Sequence, residues 1–298
     1  RLVPYVEALG GYDSNPNRVT APTKGSGLVR GELGVTARSD WSVHEFKGDL
    51  RLGYSKYFDA PQADRPDGQA KLTWRLDATR DTAFDLELRG QLDTQRPGSP
   101  DLTPTGIRSR PLVTSLGATA GGAHRIGDLE LSLHGTLDRT MYEDATLNSG
   151  AKLALARNSY NTYGLRGRVA YQVTPGVRPF LEAGADLRRR DESVDSNGYA
   201  RDSAGVSARA GSSFELTRQL TGEVAAGYAE RAYSDKRLAN LSGPTFDASL
   251  VWIASPLTTV SLRGSTAFNE TTIANASGAV NRSLTLDISD RKSTRLNS

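Results

Sequence analysis

Charged and apolar side chains alternate along most of this 298-residue chain. In the segment EFKGDLRLGYSKYF, residues 45–58, every second position from Glu45 to Arg51 is charged, and apolar residues or glycine take most of the others. Successive side chains of a β-strand point to opposite faces, so this segment predicts a strand with one charged and one apolar face. Helical periodicity is hard to find elsewhere, and the alternation therefore predicts an all-β fold.

The same pattern recurs often enough to predict fourteen strands, joined by connections of two lengths. The strands are expected near residues 2–12, 28–38, 45–58, 69–79, 84–93, 112–120, 129–138, 163–173, 177–188, 204–216, 220–231, 244–254, 260–269 and 282–289. Short connections, such as 79–82 and 217–219, alternate with long polar ones, such as 94–110 and 189–202. Alternating loop lengths favour an up-and-down antiparallel sheet.

Strands of this length and pattern are suited to a lipid bilayer. Transmembrane β-strands need about nine to eleven residues and alternate apolar with polar positions, with short turns on one side and longer loops on the other. An open sheet edge in lipid leaves backbone groups unpaired, so such a sheet closes on itself. We therefore expect an up-and-down antiparallel transmembrane β-barrel over residues 1–290, with about fourteen strands present and room for more in a longer native protein.

Charge placement on the apolar face agrees with this interpretation. An Arg or Lys at the bilayer midplane costs roughly 2–4 kcal/mol, so outward charges should lie near the strand ends. The outward charged residues are Lys56, Arg139, Glu230 and Arg282, all beside long connections. Aromatic residues should collect at both interfaces. Trp41 and Trp252 fit the short-turn level and Tyr142 the long-loop level, whereas Trp74 falls mid-strand.

A soluble β-sandwich or β-solenoid that acts as a binding module is the alternative fold, because its strands alternate in the same way. The predicted strands are long for such folds, and glycines on the apolar face, such as Gly90 and Gly135, would underfill a soluble core. The chain contains no Cys, which excludes disulfides and thiolate metal sites. Its 37 basic and 34 acidic residues include no basic block, so no nucleic-acid partner is expected.

Two short motifs carry a resemblance to a known family. The first is Gly11-Tyr12-Asp13-Ser14-Asn15-Pro16, and the second is Ser39-Asp40-Trp41-Ser42 followed by His44. With these motifs the first 60 residues resemble the outer-membrane β-barrel porin family of Proteobacteria. The resemblance implies a barrel in the outer membrane of a Gram-negative bacterium, and it implies no particular substrate.

The last residues depart from the pattern of that family. The chain ends SDRKSTRLNS, without alternation or a terminal aromatic residue. The segment RKSTRLNS resembles a translated sequencing-adaptor tail. We expect residues 291–298 to be a non-native tail and the barrel to be C-terminally truncated; a polar periplasmic tail is the alternative.

Candidate catalytic and metal sites are weak. Ser132 and His134 would share the polar face as i, i+2 neighbours, but a nucleophile also needs an orienting partner and access to substrate. Asp59, Asp64 and Asp67 share one loop without the regular ligand spacing of calcium-binding loops. The sequence therefore predicts no enzyme activity and no cofactor.

The inward charges carry the functional prediction. The candidate pore-lining residues are Arg51, Lys71, Arg75, Asp85, Glu87, Arg89, Arg166, Arg168, Arg178 and Arg188. These charges either brace the barrel across strands or select solutes in a polar conduit. The sequence favours a porin-like channel for passive diffusion of small hydrophilic solutes, surrounded by outer-membrane lipid and lipopolysaccharide. The alternative is a structural or docking barrel with a closed lumen, serving polysaccharide export or surface adhesion.

Overall fold

Fourteen long strands build the molecule. The computed structural model describes residues 1–17, 22–95, 107–195, 197–269, 271 and 275–290. In chain order the strands are β1 (Leu2–Asp13), β2 (Ser26–Arg38), β3 (Glu45–Tyr57), β4 (Arg65–Asp77), β5 (Thr82–Thr94), β6 (Leu112–Ile126), β7 (Leu129–Tyr142), β8 (Tyr160–Tyr171), β9 (Val177–Arg190), β10 (Ser203–Thr217), β11 (Leu220–Tyr233), β12 (Leu241–Ile253), β13 (Thr258–Asn269) and β14 (Ala279–Asp290). Each pairs antiparallel with its neighbours in the chain, in the order β1 to β14.

This is the up-and-down antiparallel wall of a β-barrel, and every strand expected from the sequence is present. Within the described residues no ladder joins β1 to β14, and both are exposed on nearly all positions. That residues 1–290 form a single barrel domain stays a prediction, and the tail expected at 291–298 lies outside the described residues.

Burial in this sheet is the reverse of that in a soluble protein. The leucines on the apolar face are exposed: Leu50, Leu52, Leu86, Leu88, Leu131 and Leu133. Leu133 is 56% exposed, whereas the charged Glu182 on the other face is only 7% exposed. Clusters of buried apolar residues contain at most three members in the described part of the chain. The sheet therefore lacks the core of a soluble sandwich there, and its outer face is suited to lipid.

Outward charges at the long-connection ends of the strands contact loop residues. Lys56 pairs with Asp64, Arg139 with Asp191, and Arg189 with Asp202. Glu230 accepts a hydrogen bond from the Asn240 side chain at 2.9 Å. These contacts neutralise polar groups at the depth where the apolar band ends.

One aromatic residue lies elsewhere than the sequence predicts. Trp74 lies three residues before the end of β4, not mid-strand, and its ring meets that of Phe46 edge-on at 5.5 Å. Tyr142 ends β7 beside a long connection, as the sequence predicts, and it packs with Leu153 against buried Ala145 and Leu155. Alternation along β7 places its ring on the polar face, together with Ser132 and His134.

The long connections carry small elements of their own. A short sheet joins Ile107–Ser109, Ala145–Leu147 and Lys152–Leu153, and 3₁₀ turns span Pro61–Ala63 and Ala156–Asn158. No helix within the described residues is long and apolar enough to span a membrane.

A buried ion pair in the connection after β9 is hydrogen-bonded to the connection after β13; we call this arrangement the rim clamp. Arg201 and Asp195 are completely buried, and Arg201 Nη1 donates to the carbonyl of Ala276 at 2.7 Å. Burial raises the pKa of Asp195, but hydrogen bonds from Arg201 and from the backbone N–H groups of Tyr199 and Asn197 outweigh it and hold that pKa below its usual value. The clamp fixes the connection after β9 against the connection after β13.

Candidate functional site: the charged inner wall

Cross-strand register shows which side chains share a face. Directly opposed residues of neighbouring strands lie on one face, and Lys71 opposes Arg89, Arg75 opposes Asp85, and Arg168 opposes Glu182. The same register, followed from β3 to β9, places all ten candidate residues on one face, the polar face: Arg51, Lys71, Arg75, Asp85, Glu87, Arg89, Arg166, Arg168, Arg178 and Arg188. That these residues line a water-filled pore stays a prediction.

Five charged side chains on β8 to β12 form a continuous network, here called the ion-pair belt: Arg168, Glu182, Arg209, Glu223 and Asp247. Glu182 accepts hydrogen bonds from Arg168 Nε and from Arg209 Nε, each at 2.7 Å. Both terminal nitrogens of Arg168 donate hydrogen bonds to the Glu223 carboxylate, at 2.9 and 3.0 Å, and Arg209 Nη1 donates to Asp247 at 2.8 Å. Bidentate, charge-assisted contacts of this kind are the strongest class of hydrogen bond in proteins.

The belt is shielded from solvent. The Glu182 side chain is only 5% exposed, and the Arg168 guanidinium lies 3.9 Å from the centroid of the buried Phe180 ring. Carboxylates occupy the donors of Arg168 on both sides, so this arginine presents little free charge to a passing solute. Arg168 therefore braces the wall, which is one of the two roles considered for the inward charges.

The other candidate arginines differ in how far they are engaged. Arg166 lies 3.3 Å from Glu182 and remains 60% exposed, and Arg178 lies 3.8 Å from Glu130. Arg188 donates to Thr162 Oγ1 at 3.4 Å and lies over the Tyr160 ring. Arg166 and Arg178 are therefore more accessible than Arg168, although all three were grouped together from the sequence.

Glycines on the polar face let ion pairs cross over an intervening strand. Arg89 on β5 reaches Asp138 on β7 at 2.7 Å above Gly117 of β6. A Cβ atom at Gly117 would lie 2.1 Å from Asp138 Oδ1. Gly205 separates Asp186 from Arg231, which meet at 2.6 Å, in the same way. Because glycine has no side chain, space remains above Gly117 and Gly205 in which these charged partners meet.

The acids of strand β5 contact side chains of β4, β5 and β7. Glu87 binds Lys71 at 2.9 Å and Arg89 at 2.7 Å, and Asp85 binds Nε2 of His134 at 2.8 Å. Opposite signs are therefore adjacent along the wall, both here and in the arginine-rich strands β8 and β9. The composition of a single strand does not show these partners, because most of them lie on neighbouring strands.

The weak catalytic and metal candidates gain nothing from the fold. His134 contacts Asp85, and the hydroxyl of Ser132 has no hydrogen-bond partner among the described residues. Asp64 binds Lys56 and the backbone N–H of Tyr57, while Asp67 lies within β4 and binds Arg30. In the described part of the chain, no three His, Asp or Glu side chains are grouped to hold a metal ion.

A second group on the polar face was missed by the candidate list. A groove of about 210 Å³ between β2, β3 and β4 is lined by Thr36, Ala37, Arg38, Lys47, Gly48, Asp49, Lys71 and Thr73. We call it the cation groove, because three of its side chains are basic and one is acidic. Of its charged residues only Lys71 is among the ten candidates, although alternation along β2 and β3 also predicts Arg38, Lys47 and Asp49 on the inward face. The grouping depends on register between strands, so no pattern within one strand reveals it.

Comparisons with known proteins were made at the level of structures and of families. The chain is similar to the copper transporter OprC (12% identity, TM-score 0.48), covering 94% of this chain and 52% of OprC. It is similar to the siderophore receptor PirA from Acinetobacter baumannii (12% identity, TM-score 0.43), covering 89% and 43%. It is also similar to the P. putida toluene transporter TodX (11% identity, TM-score 0.42), covering 96% and 86%.

The chain thus spans about half the length of OprC and less than half of PirA. At these identities and TM-scores the likenesses carry no information on function. No curated protein sequence matches the chain. The family model described as "Putative beta-barrel porin 2" matches residues 2–296, almost the whole chain. With its lipid-suited outer face and charged inner wall, this chain belongs to that family of outer-membrane β-barrel porins.

Proposed function

We propose that this outer-membrane barrel is a channel through which small hydrophilic solutes diffuse passively. The carrying observation is the polar face, where charged side chains of both signs are held in place along strands from β2 to β12. In a porin-like barrel, such a face borders water and sets which solutes pass. Lipid and lipopolysaccharide would surround the apolar face.

The direction of the ion pairs supports an open lumen over a closed one. Those of the polar face join strands that are at most three places apart in the sheet, as Arg168 of β8 and Glu223 of β11 do. Within the described residues, they follow the wall rather than crossing to a distant part of it. A docking barrel with a closed lumen would be expected to carry bridges across its interior.

Planar-bilayer recordings test the proposal. Folded protein added to a bilayer in KCl should produce stepwise increases in conductance, and protein unfolded by heat should produce none. A heat-modifiable shift on a denaturing gel confirms folding of the sample. Folded, membrane-inserted protein without conductance would contradict the channel and favour the structural or docking alternative.

A further inference from the structure

The cation groove contains a pair of like charges in direct opposition. Arg38 of β2 and Lys47 of β3 are cross-strand partners on the polar face. Like charges directly opposite one another in a sheet are destabilising, whereas opposite charges in the same positions stabilise it. Elsewhere on this face, Asp49 opposes Lys71 and Arg75 opposes Asp85. The opposition of Arg38 and Lys47 therefore needs a negative group nearby.

A second pair of opposed cations shows how the wall normally solves this problem. Lys71 and Arg89 also face each other directly, on β4 and β5. Glu87, two residues before Arg89, binds both of them, at 2.9 Å and 2.7 Å. One carboxylate thus bridges the two cations and neutralises their repulsion.

The bridging acid is missing between Arg38 and Lys47. Lys47 pairs at 2.6 Å with Glu45, but the Arg38 guanidinium has no acidic partner within the part of the chain that the structure describes. The position that matches Glu87, two residues before Arg38, is occupied by Thr36, and its cross-strand partner Asp49 forms no ion pair with Arg38 or Lys47 among the described residues. Threonine brings a hydroxyl to this position but no charge.

The cation groove lies where the bridging acid would be. Its basic side chains are accessible, since Lys47 and Lys71 are about half exposed and Arg38 is exposed. Half-exposed ion pairs such as Lys47–Glu45 contribute little to stability, so the lysine can turn to another anion at little cost. Thr36 and Thr73 add hydroxyl donors, while Asp49 limits the excess of positive charge.

We propose that the cation groove binds the oxyanion of a small solute, a carboxylate or a phosphate, which bridges Arg38 and Lys47 as Glu87 bridges Lys71 and Arg89. The planar guanidinium of Arg38 matches two oxygens of such a group, and Lys47 supplies a mobile point charge. This inference rests on the proposed channel function and names the solute class that the channel would favour.

Inorganic phosphate and acetate are the probes of the test. In planar bilayers, phosphate should reduce the KCl current through the full chain, and calorimetry on the folded protein in detergent should detect its binding. The double variant Arg38→Gln, Lys47→Gln should raise the phosphate concentration for half-maximal block by about tenfold or more, since each lost contact is charge-assisted. Arg263→Gln, which removes a remote cation of the same face, is the matched control. A response to acetate as well would identify carboxylates as competent ligands.

A second variant protects the test against misfolding. Thr36→Glu places an acid where Glu87 stands in the neighbouring pair. The new carboxylate would also oppose Asp49, but the basic side chains of the groove surround both acids, so the barrel should stay folded while phosphate block and binding are abolished. Ser265→Glu, which adds an acid to the polar face of β13, should leave both intact. The expected result is loss in Thr36→Glu alone.

The outcomes separate this inference from the channel proposal. Conductance without phosphate block or calorimetric binding would overturn the anion site and leave the channel standing. Binding that is lost in Thr36→Glu, but without any conductance, would keep the site and contradict the channel. Equal weakening in Arg263→Gln and in the double variant would show a general effect of charge and overturn the groove as a distinct site.

Discussion

The ion-pair belt and the cation groove occupy the same face of the same sheet, yet they use their charges in opposite ways. In the belt, the Glu182 side chain is 5% exposed and accepts hydrogen bonds from two arginines, Arg168 and Arg209. In the groove, the Lys71 side chain is 51% exposed and Arg38 lacks an acidic partner among the described residues. Charges that are paired and shielded hold strands together, whereas unneutralised, hydrated charges remain available to solutes.

The largest expected effect is on folding, in the belt. Glu182→Gln leaves Arg168 and Arg209 without their shared carboxylate in a shielded site. Breaking one partner of a buried ion pair typically costs about 3–5 kcal/mol. Urea unfolding in detergent, followed by tryptophan fluorescence, should show a loss of that order in the free energy of unfolding.

The control for Glu182→Gln is Glu45→Gln, which removes the half-exposed acid bound to Lys47. It should cost less than about 1 kcal/mol. Equal losses of unfolding free energy in Glu182→Gln and Glu45→Gln would show that ion pairs in the belt stabilise the sheet no more than those beside the groove.

The rim clamp extends the comparison to a paired, buried site outside the membrane. The pKa of Asp195 is lowered, so its stabilising contribution is complete above the usual carboxyl value of about 3.9 and is lost as pH falls through the lowered value. Asp235, hydrogen-bonded by the side chain and backbone of Arg237, also has a lowered pKa. Hydrogen exchange of residues 197–202 should stay protected from pH 8 down to about pH 4.

Loss of that protection should appear only below about pH 4. Asp195→Asn should expose the same residues to exchange at neutral pH, because Arg201 then keeps its buried charge without a counter-ion. Loosening of the wild-type segment between about pH 5 and pH 7, where histidine titrates, would contradict the assignment to these carboxylates.

A smaller effect is expected on ion selectivity. Arg38→Glu and Arg166→Glu each reverse one cation on the polar face, but Glu182 lies 3.3 Å from Arg166 and already offsets its charge. Reversal potentials in a KCl gradient should shift toward cation preference in both variants, and further for Arg38→Glu. Equal or inverted shifts would mean that pairing does not decide which charges act on solutes.

The smallest expected effect is at a glycine between ion partners. Gly117→Ala puts a methyl group where Asp138 Oδ1 and Arg89 now meet. The Arg89 side chain is long and both partners are partly exposed, so they can move apart, and the lost contact should cost about 1 kcal/mol or less. Gly90→Ala on the apolar face, where a Cβ has ordinary contacts of 3.6 Å or more, is the control. If Gly117→Ala lowers the free energy of unfolding as much as Glu182→Gln does, the Arg89–Asp138 pair stabilises the sheet as strongly as the ion-pair belt, which would contradict this prediction.

The sequence alone determined the strands and their faces. Side chains alternate between the two faces of a strand. Placing Leu86 on the apolar face and Glu87 on the polar face therefore assigns every other residue of that strand to a face. Fourteen strands, the alternating loop lengths and the lipid-facing leucines all followed from this rule. Where the end of a strand was placed wrongly, as for β4, the level assigned to its aromatic residue, Trp74, was wrong as well.

Only the tertiary structure decided which charges meet. Whether Arg168 is free or braced depends on the relative register of β8, β9 and β11, which comes from backbone pairing between strands and leaves no trace within any one of them. The same applies to the crossing of Arg89 and Asp138 above Gly117, and to the opposition of Arg38 and Lys47. The face that a side chain occupies is a local property of the chain. The partner of a charged side chain, its shielding from solvent and its residual charge depend on several strands together.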